Sequence, residues 1–214
     1  MYSYLTRNNL ISPNQSGFRP GDSTVRQLVS ICHKISQSLD NGDEILGVFL
    51  DFKKAFDKVW HKGLVFKLSK MGFHGSVLKW LKDYLHGRKQ RVVIDGTSST
   101  YRCILAGVPQ GSVLGPLLFL VYINDICANL KSIVQLYADD TSLFRIVSNC
   151  NMISAVLHIN NDLNTIYRWA HQWLVEVRIE KSVSMLKSRK QIPTQTLPVK
   201  YGKHLGLCLD TTLS

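Results

Sequence analysis

With 214 residues, 45% of them hydrophobic and 19% charged, the chain carries enough apolar material to bury a core, which excludes a wholly disordered segment and suits one large domain or two small ones. Lys and Arg number 26 against 15 Asp and Glu, a net charge of +11, a surplus that suits a phosphate backbone because neutralising phosphates releases condensed counterions. A merely basic protein has the same composition, since net charge speaks to association and not to fold.

Residues 1–10 are polar, unlike a secretory signal. Residues 14–24, rich in Gly, Pro and Ser, read as an ordered loop. Val25, Leu28, Cys32, Ile35 and Leu39 then recur at three- and four-residue steps and predict a helix, with Thr24 and Gln27 as a capping box and Asn41-Gly42 as its end. The apolar run 45–50 predicts a buried strand that ends at Asp51. Helical stretches are expected over about 53–71, broken near Gly63, and over 76–85. Residues 92–94, Asp95-Gly96 and a second short strand through Ile104 predict a hairpin. The longest apolar run, 113–123, contains Gly115 and Pro116 and is too short to span a bilayer; a helix is expected over 114–130. Strand-like runs at 133–137 and 141–147 flank Ala138-Asp139-Asp140, which puts the acidic pair at a hairpin turn. A long amphipathic helix is expected over 152–174, with Trp169 and Trp173 in the core, and weaker strand signals follow at 184–186 and 204–209. Hairpin strands alternating irregularly with helices favour α+β, an antiparallel sheet with helices on one face, over a doubly wound parallel sheet.

Five cysteines (Cys32, Cys103, Cys127, Cys150 and Cys208) lie far apart without zinc-site spacing. They read as reduced, mostly buried thiols of an intracellular protein, nuclear or cytoplasmic, without a membrane segment.

Three carboxylates carry the chemistry. Asp51 closes a buried strand, and Asp139 and Asp140 sit in a tight turn between apolar strands. A charge at the end of an apolar strand is costly unless it is paired or binds a cation, and adjacent carboxylates raise each other's pKa. A divalent metal resolves both problems, and hard oxygen ligands suit Mg²⁺ or Mn²⁺. Two such ions clamp the attacking and leaving oxygens of a phosphoryl transfer. Successive strand side chains point to opposite faces, which makes Asp139 the better ligand of the pair. The same residues also fit a surface Asp-Asp turn and a strand-end helix cap. In the loop 106–116, glycines allow close backbone approach, Gln110 offers donor and acceptor groups, and the helix that follows offers free amides to phosphate.

Val48-Phe49-Leu50-Asp51-Phe52-Lys53-Lys54-Ala55-Phe56-Asp57-Lys58-Val59-Trp60-His61 resembles the first palm motif of reverse transcriptases from non-LTR (LINE-type, jockey-like) retrotransposons. Residues 107–119 resemble their second motif, Tyr137-Ala138-Asp139-Asp140 their third, and Gln15-Ser16-Gly17-Phe18-Arg19-Pro20-Gly21 the fingers motif that precedes all three. The order and spacing agree over about residues 11–173.

The resemblance implies a right-hand polymerase with partial fingers (1–45), a palm (46–175, fingers insertion near 62–105) and a truncated end of palm (176–214), without a complete thumb. It implies an RNA-directed DNA polymerase that takes an RNA template, a DNA primer and dNTPs. Asp51, Asp139 and Asp140 would be catalytic and hold two Mg²⁺ or Mn²⁺ ions. Phe56 would be the steric gate against a ribose 2′-OH, with Gln110, Gly111 and Arg19 at the nucleotide. Lys181 would be the general acid for pyrophosphate, although the family's Phe-Asn-Pro before that lysine is absent from 173–182. Lys53 and Lys54, with Lys58 and His61, would face nucleic acid from a helix, and His204-Leu205-Gly206 resembles the primer-grip region. Family members carry further fingers, an endonuclease and a thumb, so a fragment or decayed copy is expected. The alternative is a catalytically inactive, nucleic-acid-binding remnant; an RNA-dependent RNA polymerase is disfavoured by Ala138 in place of Gly and by Phe56.

Overall fold

The computed structural model describes residues 1–148 and 151–188, and residues 209–210 as backbone. In chain order the elements are α1 (Tyr2–Arg7), α2 (Thr24–Asp40), β1 (Glu44–Leu50), α3 (His61–Lys70), α4 (Gly75–Leu85), β2 (Lys89–Gln90), β3 (Val93–Ile94), β4 (Thr97–Ser98), β5 (Arg102–Cys103), α5 (Leu114–Ile123), β6 (Ile133–Tyr137), β7 (Asp140–Val147), α6 (Met152–Gln172), β8 (Val183–Lys187) and β9 (Leu209–Asp210). They form two compact units, residues 1–11 with 54–123, and residues 12–53 with 124–214. Among the described residues no helix is long and apolar enough to cross a membrane.

The second of these units is built on a five-stranded sheet, ordered β6-β7-β1-β8-β9. All its pairings are antiparallel except β8 with β9. β1 lies centrally, and its sequence shows why: Leu46, Val48 and Leu50 share one face with Leu143 and Thr141 of β7, and all five are buried. α2 packs on β1 and α6 on β7. Along α6, Ala155, Ile159, Leu163, Ile166 and Ala170 recur at helical spacing and are buried. Asp162, on the same helix and 3% exposed, accepts hydrogen bonds from the amides of Lys131 (3.0 Å) and Ser132 (2.8 Å), where β6 begins. Trp173 is buried, and Trp169 donates its indole N–H to Asp125 at 2.8 Å.

Three sequence expectations shift in this unit. Ser23, not Thr24, caps α2: its hydroxyl accepts from the Arg26 amide at 3.1 Å. The apolar residues Val25, Leu28 and Val29 of that helix are exposed. Of the cysteines, Cys32 and Cys103 (the latter in the other unit) are exposed, against the expectation of mostly buried thiols, and Cys127 is half-buried. Cys150, Cys208 and residues 204–206 lie outside the described residues.

In the other unit α3 packs against α4 and α5. Lys67 of α3 is only 5% exposed, because its Nζ donates to the Tyr122 carbonyl near the end of α5 at 2.6 Å and lies over the Tyr122 ring. A cation at a helix C-terminus is favourably placed against the macrodipole. Asp95 (φ 48°) and Gly96 (φ 79°) both have positive φ and join β3 to β4 as a two-residue hairpin loop, as the sequence predicts. Residues 53–58 are turns and 59–60 irregular rather than helix, so the helix begins only at His61: Lys54 is left-handed (φ 50°) and Trp60 caps in an extended conformation. Gly63 lies within α3 without a break. α5 stops at Ile123, well short of residue 130, and Asn129 (φ 64°) is left-handed.

Candidate functional site

The acidic residues come together through strand register. The β1–β7 ladder ends at Leu50↔Thr141, so one further step sets Asp51 across from Asp140. The β6–β7 ladder ends at Tyr137↔Asp140, which leaves Ala138 and Asp139 as a two-residue loop. The three carboxylates share one electrostatic environment: the Asp140 carboxyl is pushed above its ordinary value, first by burial and then by the charges of Asp139 and Asp51.

Asp51 is held by the segment that follows α6. Its carbonyl accepts from the Arg178 amide at 2.7 Å and its amide donates to the Ser182 hydroxyl at 3.3 Å. Phe52 bridges Val177, and the Lys53 amide donates to the Glu176 carbonyl at 2.8 Å. The Lys53 ammonium pairs with Glu176 Oε1 at 2.8 Å. Arg178 Nε lies 3.3 Å from Asp51 Oδ2, yet that oxygen is buried and has no aligned hydrogen-bond donor. The contact is therefore a charge pair without a hydrogen bond. Lys181 is exposed, on a 3₁₀ turn over Ile179–Lys181.

Carboxylate oxygens are the kind of donor that suits a hard divalent cation. A buried carboxylate oxygen without a donor is costly, and an Asp destabilised by two neighbouring charges gains from a cation. No three carboxylate, imidazole or thiolate side chains among the described residues converge as a ready-made ligand group. The Asp51 carboxylate has Arg178 as its counter-ion.

The loop before α2 runs under the acidic turn. Gln15, 2% exposed, accepts from the amides of Ala138 (2.9 Å) and Gly17 (2.7 Å) with Oε1, and its Nε2 donates to the Ala138 carbonyl at 3.3 Å. Arg19 donates to the carbonyls of Ser12 (3.2 Å) and Gln15 (3.1 Å), bracing that loop.

The unit of residues 54–123 has its own candidate site. The Gly107 amide donates to the Val59 carbonyl (2.8 Å), the Val108 amide to Phe56 (2.9 Å), and the His61 ring contacts the Gly107 carbonyl at 2.7 Å. Gly107 has φ 94°, and a Cβ there would lie 2.7 Å from the Asp57 carbonyl oxygen, so only glycine fits. Gln110 Nε2 donates to Asp57 Oδ1 at 2.8 Å, and Gly111 turns at φ 77°. The Phe56 ring stacks on Phe119 with centroids 4.1 Å apart. A cavity of about 670 Å³ is lined by Lys54, Arg88, Lys89, Gln90 and Gln110 among others. Lys53, Lys54 and Lys58 thus stand on turns, and His61 at the first position of α3.

Sequence reasoning missed Gln15, Asp57, Arg88 and Arg178. Gln15 and Asp57 sit inside recognised motifs, but nothing in their spacing shows which peptide or side chain they meet.

A central strand that ends in a carboxylate, beside a hairpin that carries two more, is the architecture of a polymerase palm. Residues 1–206 match the family described as "Reverse transcriptase (RNA-dependent DNA polymerase)", and the chain belongs to it. It is 33% identical to the "Probable RNA-directed DNA polymerase from transposon BS" of Drosophila melanogaster over 98% of this chain and 25% of that protein. It is 34% identical to the X-element protein of the same species (99% of this chain, 24% of that protein) and 31% to that of mobile element jockey (94% and 23%). The chain therefore spans about a quarter of the length of these relatives. Its fold is similar to apo telomerase from Candida tropicalis, with a TM-score of 0.62 at 11% identity over 88% of this chain and 36% of that one.

Proposed function

We propose that this chain carries the nucleotidyl-transfer centre of an RNA-directed DNA polymerase of a non-LTR mobile element, with an RNA template, a DNA primer and dNTPs as partners. The observation that supports it most is the meeting of Asp51 and Asp140 at adjacent strand ends, with Asp51 Oδ2 buried and without a hydrogen-bond donor. In the reaction the primer 3′-oxygen attacks the α-phosphorus of the dNTP. A P–O bond forms, the bond to the α–β bridging oxygen breaks, pyrophosphate leaves and the hydroxyl proton passes to water. Asp51, Asp139 and Asp140 are the residues that would hold two Mg²⁺ or Mn²⁺ ions, whose chemistry is to lower the hydroxyl pKa and offset the charge developing on phosphate.

For the unit of residues 54–123 we assign the nucleotide-contacting roles to Phe56, Gln110 and Gly111, with Asp57 orienting the Gln110 amide at 2.8 Å. Lys54 lines a basic cavity there, whereas the Lys53 ammonium is engaged with Glu176. Arg19 acts as a loop brace through its two carbonyl contacts. Lys181 remains the candidate proton donor to pyrophosphate.

The test is primer extension on an RNA template with Mg²⁺. Wild type extends and Asp139→Ala does not; equal extension by both ends the reading. A preference for dNTPs over NTPs separates it from an RNA polymerase. Arg178 beside Asp51 favours a second reading, a remnant that binds nucleic acid without chemistry. That reading expects salt-sensitive RNA or DNA binding and no extension with either metal.

A further inference from the structure

Ala138 stands immediately before the two acidic residues, and its backbone is in a conformation that alanine does not prefer, φ 54°. A non-glycine residue persists there only when its surroundings over-determine it. Both hydrogen-bonding groups of its peptide are met by one side chain, since Gln15 accepts from the Ala138 amide and donates to the Ala138 carbonyl. The second lone pair of Gln15 Oε1 takes the Gly17 amide, so the carboxamide oxygen is fully used.

The main chain around Gln15 is fixed just as firmly. Gln15 bridges Leu136 in parallel, the Ser16 amide donates to the Leu136 carbonyl at 2.9 Å, and the Leu136 amide donates to the Asn14 carbonyl at 2.8 Å. Residues 14–16 thus continue the sheet beyond β6. A Cβ on Gly17 would overlap the Ala138 amide nitrogen, so the loop approaches the turn as closely as backbone can.

We propose that Gln15 is a positioning residue for the acidic turn: by gripping the Ala138 peptide it sets the direction in which the Asp139 and Asp140 carboxylates meet a divalent cation. The proposal rests on the reading of those residues as metal ligands. A carboxamide is the suited group, since it supplies an acceptor and a donor on one rigid plane without adding charge beside two carboxylates.

The experiment is a Mn²⁺ titration of the full 214-residue chain, followed by electron paramagnetic resonance, with hydrogen exchange of the Ala138 amide read in parallel. Wild type binds Mn²⁺ and Asp139→Asn does not, which tests the ligand assignment itself. Gln15→Met, which keeps length and loses both polar atoms, weakens Mn²⁺ about tenfold, the usual cost of removing a group that orients a metal ligand. Its Ala138 amide loses protection. Gln15→Glu, which keeps the acceptor, retains Ala138 protection and covers the case in which Gln15→Met does not fold. Asp162→Ala is the control, for it removes a buried cap at the opposite end of β6. It lowers the melting temperature and leaves Mn²⁺ affinity within twofold of wild type.

Mn²⁺ affinity unchanged in folded Gln15→Met overturns the proposal while leaving the ligand assignment intact. So does an equal loss in Asp162→Ala, which would make Gln15 a general stabiliser, or loss of Ala138 protection in folded Gln15→Glu. If wild type binds no Mn²⁺, or Asp139→Asn binds it as well, both readings fall.

Discussion

Replacing Gly17 by alanine isolates the contact between the leading loop and the acidic turn. Gly17 does not have positive φ, so the added methyl costs nothing through backbone strain and acts only through space. Its Cβ would overlap the Ala138 nitrogen and lie 2.9 Å from both the Ala138 Cα and Gln15 Oε1. Two of these three atoms are main chain and cannot rotate aside. Overpacking typically costs 1–3 kcal/mol, and a rigid neighbour places Gly17→Ala at about 3 kcal/mol. In a chain of this size that lowers the melting temperature by roughly 6–12 °C. Gly42→Ala is the comparison: φ there is +78° and nothing lies within 4 Å of a built Cβ, so only the left-handed backbone is penalised, about 1 kcal/mol. Both variants are measured by thermal melts followed by far-UV circular dichroism. If Gly17→Ala costs no more than Gly42→Ala, the loop does not approach the turn as described.

Three further outcomes follow from the same geometry. Arg178→Ala removes the cation 3.3 Å from Asp51 Oδ2; a partly exposed pair is worth about 1 kcal/mol, so Mn²⁺ affinity rises about fivefold by paramagnetic titration, and an unchanged affinity contradicts it. The folded state raises the Asp140 pKa, so ionising this group disfavours folding: its contribution is present below the unfolded carboxylate pKa and lost as pH rises through the folded one. Asp140→Asn therefore melts higher than wild type at pH 7, and the two converge in acid; a lower melting temperature at pH 7 counts against the shared-field picture. Burial raises the Cys127 thiol pKa and so lowers its thiolate fraction, and the half-buried sulfur is less open to reagent than the exposed Cys32 and Cys103. Thiol labelling resolved by peptide mass spectrometry accordingly finds Cys127 slowest, and equal rates at the three sites would contradict its burial.

The candidate site was legible where chemistry is written in residue type. Asp51 after an apolar run and the Asp pair between two strand-like runs located the carboxylates, and Asp95-Gly96 announced its hairpin. What spacing could not show is the partner of each group. Arg178 beside Asp51 depends on a backbone ladder between segments far apart in the chain. The helix expected over 53–60 failed because Lys54 adopts a left-handed backbone, which no periodicity signals. Nothing in the spacing marks Lys67, a lysine buried on the Tyr122 carbonyl.

By itself the sequence determined the continuous apolar run that marks β1 as a buried strand, the order of the motifs and hence family membership, because hydrophobic runs and residue chemistry are local properties of the chain. Only the tertiary structure decided that Asp51 stands across from Asp140, and that Gln15 holds the peptide before the acidic pair. Register and long-range hydrogen bonds arise from how distant segments pack, and a one-residue slip in either would turn the same side chains to the opposite face.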